Sequence, residues 1–186
     1  MSGVTVVIPT ISETVLTKES LPEEVSVVVV REGTLNEARN RGVETADTEK
    51  VLLLDDDVRF SESFFWDVVD RIEPEKLVGM EDWNYGLVAG RLMGFTKETW
   101  RTAGGFDERL RSHMGDTDFA ICCHKHGYEI EQIPQSQIEH EGPPGAIERT
   151  DAVDHAWRGL YLATKHPTYA WRLFKGMVTP VLTGSD

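Results

Sequence analysis

Apolar residues near the start of this chain come in short unbroken runs rather than at helical spacing. Thr5-Val6-Val7-Ile8, Val25-Ser26-Val27-Val28-Val29-Val30 and Val51-Leu52-Leu53-Leu54 are too short for helices and rich in β-branched side chains. Runs of this kind, bounded by polar residues, predict strands buried on both faces of a parallel sheet. Pro9 stops the first, and Arg31-Glu32-Gly33 turns the chain after the second. Between the first two, residues 12–20 are polar and have room for one or two helical turns. Thr34 and Glu37 have capping-box spacing, which predicts a helix over about 35–46.

After residue 60 the period changes. Ser61 precedes Phe64, Phe65, Val68, Val69 and Ile72, whose three- and four-residue steps give one apolar helix face. Residues 77–80 and 87–93 predict short strands. Thr96 caps a brief helix ended by Gly104-Gly105. A helix is expected over 119–126, stopped by Gly127, then strands over 128–133 and 137–140. Gly142-Pro143-Pro144-Gly145 reads as a loop and as the best internal boundary. Asp151 can cap a helix to about residue 165, and His166-Pro167 separates it from a last helix near 169–177. The expected organisation is a domain over 1–145 and a helical tail over 146–186.

The third run ends in Asp55-Asp56-Asp57. A buried strand that stops where acids begin puts those acids at its carboxyl end, the edge where open α/β sheets bind ligands. Three adjacent carboxylates repel one another unless they are solvated or a cation neutralises them. The alternatives are a solvated acidic turn and a divalent-cation site.

Composition narrows the partners. The chain has 186 residues, 40% of them hydrophobic and 27% charged, enough for one well-buried α/β domain with an appendage. A net charge of −13 argues against nucleic acid. The surface is acid-rich and lysine-poor, which suits high salt and makes a halophilic source an expectation. No apolar run is long enough to cross a bilayer and no leader is evident, so the expected location is cytoplasmic. Cys122 and Cys123 are adjacent, a spacing that suits neither a structural disulfide nor a CxxC site, and read as small helix residues. Residues 155–180 carry Arg158, Lys165, Arg172 and Lys175, no acid, and interleaved aromatics such as Trp157, Tyr161, Trp171 and Phe174. That pattern fits either closing helices packed on the domain or a peripheral contact with the inner face of a membrane.

Four segments together resemble family 2 glycosyltransferases. They are the opening strand with Pro9 and Thr10; Leu35-Asn36-Glu37-Ala38-Arg39-Asn40-Arg41-Gly42, similar to the ARNxG helix; Leu54-Asp55-Asp56-Asp57, similar to the DxD motif; and Gly104-Gly105-Phe106-Asp107-Glu108 with Gly115-Asp116-Thr117-Asp118-Phe119. The resemblance implies a GT-A fold, a mostly parallel Rossmann-like sheet flanked by helices, here with a C-terminal helical tail. It implies transfer from a nucleotide diphosphate sugar to a hydroxyl on a glycan or lipid-linked acceptor, with Mn²⁺ or Mg²⁺ and inversion at the anomeric carbon. Residue by residue, it makes Pro9, Thr10, Arg39, Asp55 and Asp56 contacts to the nucleotide sugar, Asp57 and His140 metal ligands, and Asp116 the acceptor base. Helix N-capping is the simpler role for Asp116 and Asp118, and a helix-surface charge the simpler role for Arg39 and Arg41. Trp83 and Tyr85 could stack on a sugar or base.

The sequence departs from that pattern. Its second strand ends in Arg31-Glu32, not in two aspartates, and leads directly into the Leu35 helix, so one βα unit is missing. Glu32 is the candidate substitute for the base-reading acid. Gly115 stands where the family has glutamate. These departures motivate a second expectation, an accessory protein that binds the nucleotide sugar without turnover. A third is a haloacid-dehalogenase-like phosphohydrolase using Asp55 as nucleophile.

Overall fold

The computed structural model describes residues 3–82, 87–111, 113–140 and 152–183, with side chains omitted for 152–155 and 177–183. The strands are β1 (Val4–Pro9), β2 (Ser26–Val30), β3 (Lys50–Leu54), β4 (Val58–Arg59), β5 (Lys76–Glu81), β6 (Val88–Thr96), β7 (Glu129–Ile133) and β8 (Glu139–His140). The helices are α1 (Leu35–Thr45), α2 (Glu62–Arg71), α3 (Lys97–Ala103), α4 (Gly115–Lys125), α5 (Ala152–Lys165) and α6 (Ala170–Thr183).

Six strands form one sheet in the order β2-β1-β3-β6-β5-β7, and β4 pairs separately with β8. β1 is parallel to both β2 and β3, with Val6 opposite Val27 and Leu52. β6 runs antiparallel to β3 and β5, and β7 is parallel to β5. One reversed strand therefore sits inside a mostly parallel sheet, as the apolar runs predict, apart from the reversal.

The period-2 geometry of a strand sends alternate side chains to opposite faces. Val7, Val51 and Leu53 join one buried cluster with Phe95, Phe106, Phe119, Leu162 and Leu173. Val6, Ile8, Leu52 and Leu54 join another with Phe65, Val68 and Ile72. The β1 and β3 runs are continuous because both faces are covered, whereas β2, expected to be buried as well, is an edge strand and only half-buried over residues 26–29. In the first cluster Phe106 and Phe119 have ring centroids 4.6 Å apart, and Phe95 and Phe119 are 5.2 Å apart. Burying one such ring contributes about 2–3 kcal/mol.

Local signals account for most boundaries. The Thr34 capping box forms, with Glu37 returning to the Thr34 amide. Ser61 and Thr96 cap α2 and α3, and Gly104 ends α3 in the left-handed conformation. Gly42 lets α1 lie on β1: an added Cβ would stand 2.2 Å from Val7 Cγ1.

Three expectations need correction. α4 begins at Gly115, one turn before Phe119, because the Asp118 amide closes the turn on Met114 O at 2.9 Å. Asp116 and Asp118 are thus inside the helix and are not its caps. The segment 137–140 is only partly a strand: a 3-10 turn covers Gln135–Gln137, and β8 pairs with β4 outside the main sheet. The last helix starts at Ala170 and runs on to Thr183. Asp151 and the 142–145 loop lie outside the described residues. Among the described residues, no helix is long and apolar enough to cross a membrane.

Candidate active site

β1, β2 and β3 run in the same direction, so their carboxyl ends share one edge of the sheet. Pro9 ends β1, and Thr10, Glu32 and Asp55-Asp56-Asp57 follow those ends. The acidic turn is held by backbone and hydroxyl contacts. The Asp55 amide donates to Arg91 O at 3.1 Å. Thr17 is buried; its hydroxyl donates to Asp55 O at 2.7 Å and accepts the Val58 amide at 3.0 Å. The Thr10 hydroxyl donates to the Asp56 carboxylate. Asp56 is thereby oriented by β1, and its own main-chain oxygen accepts the Thr17 amide at 3.2 Å.

Asp57 differs from its neighbours. The β4–β8 pairing sets Val58 opposite His140, and this brings His140 Nε2 to 3.2 Å from Asp57 Oδ2. Asp57 Oδ1 is buried and, among the described residues, has no hydrogen-bond partner. An orphaned carboxylate oxygen beside an imidazole is the arrangement a divalent cation satisfies. Among the described residues, no third side-chain ligand converges on this pair. Phosphate oxygens and water would have to complete a coordination shell there.

Across the edge, Arg39 and Asp116 approach the same glycine. An added Cβ at Gly90 would stand 2.3 Å from Arg39 Nη2 and 3.0 Å from Asp116 Oδ2. Asp116 Oδ2 accepts the Gly90 amide at 2.7 Å, and Oδ1 accepts the Thr117 amide at 2.9 Å. Arg39 is only 3% exposed, lies over the Phe106 ring at 5.4 Å and leaves Nε without a partner. A helix-surface role is thereby excluded for Arg39. Arg41 does have that role: it is exposed and pairs with exposed Glu32 at 3.2 Å.

Burial pushes the Asp55 carboxyl up to about 7; Arg39 pulls it back, while Asp57, Asp116 and Asp56 push it further. Asp55 can therefore share a proton with its surroundings near neutrality and donate a hydrogen bond as well as accept one.

The loop after α3 is organised by Asn side chains. Asn40 donates to Phe106 O at 2.9 Å and accepts the Phe106 amide at 2.8 Å. Asn36, fully buried, donates to Asp107 O at 3.0 Å, and an added Cβ at Gly115 would strike it at 2.2 Å. Glycine at 115 is thus a close-packing residue, and the glutamate expected there has no space. Asp118 faces away from the acidic rim, toward the tail: its oxygens meet Lys165 Nζ at 2.8 Å and His166 Nε2 at 2.7 Å. Cavities of about 370 and 540 Å³ open beside Asn40 and Gly104–Glu108. Trp83 and Tyr85 lie outside the described residues.

Sequence reasoning missed Thr17, Asn36, Gly90 and Arg91. Only Asn36 carried a local signal, as part of the helix motif. Arg91 meets Asp55 because β6 pairs with β3, and Gly90 meets Asp116 because α4 packs on β6.

No protein-family model matches the sequence, and no curated protein matches it significantly. Solved structures do. The mannosyltransferase PcManGT from Pyrobaculum calidifontis, solved in complex with GDP-Man and Mn²⁺, is 18% identical with a TM-score of 0.65; the match covers 95% of this chain and 69% of that one. The catalytic domain of Drosophila beta1,4galactosyltransferase 7, in complex with xylobiose, is 12% identical with a TM-score of 0.54, covering 75% of this chain and 71% of that one. At these identities the likeness is one of fold: a mixed α/β, mostly parallel sheet flanked by helices, as in GT-A glycosyltransferases.

Proposed function

We propose that this protein transfers a sugar from a nucleotide diphosphate sugar to a hydroxyl acceptor, aided by Mn²⁺ or Mg²⁺. The observation that carries this reading is the buried Oδ1 of Asp57, unpartnered among the described residues, beside His140 and at the same sheet edge as Asp116 in a GT-A-like fold. Asp57 and His140 would hold the cation, which when bound offsets the negative charge of the diphosphate leaving group. Pro9, Thr10 and Glu32 border the place for the nucleotide. Asp55 holds or donates to a ribose hydroxyl, Asp56 is kept in register by Thr10, and Arg39 supplies positive charge at the diphosphate. Asp116 takes the acceptor proton; a lone base on the far side of the anomeric carbon suits direct displacement with inversion.

The test is a thermal-shift screen of nucleotide sugars with and without Mn²⁺, followed by turnover on the preferred donor. Asp57→Ala and His140→Ala should lose the metal-dependent shift. Asp116→Asn should keep it and lose turnover. A shift that survives Asp57→Ala unchanged sinks the proposed cation site, and full turnover in Asp116→Asn removes that base.

One observation favours a non-catalytic binding protein as second reading: both Asp116 oxygens already accept a backbone amide, which leaves fewer lone pairs open to an acceptor hydroxyl. Donor binding with no turnover on any acceptor would support it. The phosphohydrolase reading has less behind it: the Asp-x-Asp of that family ends the first strand, whereas two strands precede Asp55 here.

Within the same proposal, exposed Trp157, Leu160, Trp171 and Phe174 of α5 and α6 rest on an anionic membrane near a lipid-linked acceptor. Failure of the full chain to float with anionic liposomes would exclude that contact.

A further inference from the structure

Away from the acidic rim, α4 and the tail bring together side chains the proposed transfer does not use. Asp118 and Cys122 are four residues apart on α4 and so share one helix face. His166, at the end of α5, closes on them from the tail. One carboxylate oxygen of Asp118, Cys122 Sγ and one ring nitrogen of His166 all lie within 4.8 Å of one another. Asp118 and His166 are each 1% exposed, and Cys122 is half-buried.

The histidine can turn a lone pair toward the same place. His166 Nε2 meets Asp118 Oδ1 at 2.7 Å, while, among the described residues, the buried Nδ1 has no partner. A neutral imidazole carries one proton on two nitrogens; with that proton on Nδ1, Nε2 keeps a lone pair toward Asp118, and a cation between them would replace the present contact. Lys165 occupies the other oxygen, Asp118 Oδ2, at 2.8 Å and is shared with Asp107. It orients the carboxylate without consuming both oxygens.

We propose that Asp118, Cys122 and His166 form a zinc site that pins the C-terminal helices to α4. Thiolate, imidazole and carboxylate are the donors zinc takes, whereas Mn²⁺ and Mg²⁺ favour oxygen sites such as the acidic rim. Three protein ligands leave a fourth position for water. The cavity of about 540 Å³ lined by Cys122, Lys165 and Asp107 gives that water its route. On binding, the Cys122 S–H bond breaks, sulfur keeps the electron pair and donates it to Zn²⁺, and the proton leaves to solvent.

The experiment uses the full chain stripped with EDTA and titrated with Co²⁺, then with Zn²⁺ in competition. One Co²⁺ per chain should bind with a thiolate-to-cobalt charge-transfer band, and Zn²⁺ should abolish the band. Cys122→Ser should remove the band and weaken Zn²⁺ binding by about 10-fold or more. Cys123→Ser and Asp57→Ala should retain both, the latter separating this site from the acidic rim. Circular dichroism confirms that Cys122→Ser is folded. Absence of the band in the parent protein, or its persistence in Cys122→Ser, overturns the proposal, whatever the nucleotide-sugar screen shows.

Discussion

Replacing Lys165 by methionine tests how the tail is held. The Lys165 ammonium lies 2.7 Å from Asp107 Oδ2 and 2.8 Å from Asp118 Oδ2, and these side chains are 27%, 7% and 1% exposed respectively. Burial alone would lower the Lys165 pKa, but the two carboxylates raise it above its ordinary value, so the group is charged. Methionine keeps most of the stem and removes the cation. Asp107 would still have Arg109 at 2.9 Å and the Tyr161 hydroxyl at 2.6 Å. Asp118 would have only His166, and is the carboxylate left under-compensated. Breaking a fully buried pair costs about 3–5 kcal/mol, and an exposed pair contributes about 0–1 kcal/mol. For a lysine roughly a quarter exposed we expect a loss of about 2–3 kcal/mol, or roughly 5–10 °C in Tm for a chain of this size. Urea denaturation followed by tryptophan fluorescence, in EDTA, measures it. A cycle with Asp118→Asn should be non-additive by about 1 kcal/mol or more, because the asparagine no longer needs the cation. A Lys165→Met protein within about 0.5 kcal/mol of the parent, or an additive cycle, would refute the idea that this bridge anchors the tail.

Thr17→Val should cost about 1–3 kcal/mol by denaturant titration, since it strands the Val58 amide and the Asp55 carbonyl together. Gly90→Ala should destabilise by about 1–3 kcal/mol and lower turnover, because its methyl must displace the buried Arg39 or Asp116; a variant with parental Tm and activity would contradict that crowding. Acid stability should follow Asp107. Burial alone would raise its pKa, but Arg109, Lys165 and Tyr161 hold it well below the ordinary carboxylate range. A carboxylate depressed in the folded state contributes stability above its unfolded pKa and loses it as pH falls through the folded value, so the loss should begin below about pH 4. In Asp107→Asn, melts recorded across that range should fall less steeply.

The sequence by itself determined the parallel half of the sheet, because unbroken aliphatic runs can be satisfied only where both faces are covered. It determined the starts of α1, α2 and α3 as well, since Thr34, Ser61 and Thr96 cap through bonds spanning three residues. It placed Asp55-Asp56-Asp57 at a strand end and grouped them with Asp116 and His140 through motif order. Tertiary structure alone decided the rest. The reversal of β6, which delivers Arg91 to Asp55, is a pairing choice between segments far apart in the chain. The turn of helix gained before Phe119 closes through the Asp118 amide on Met114 O, with Asn36 of α1 packed against Gly115. Arg39 is buried because Phe106 covers it, and Asp118 serves the tail because Lys165 and His166 arrive there on α5. Local bonds are written in neighbouring residues, whereas burial and charge pairing belong to whichever distant surfaces the fold brings into contact.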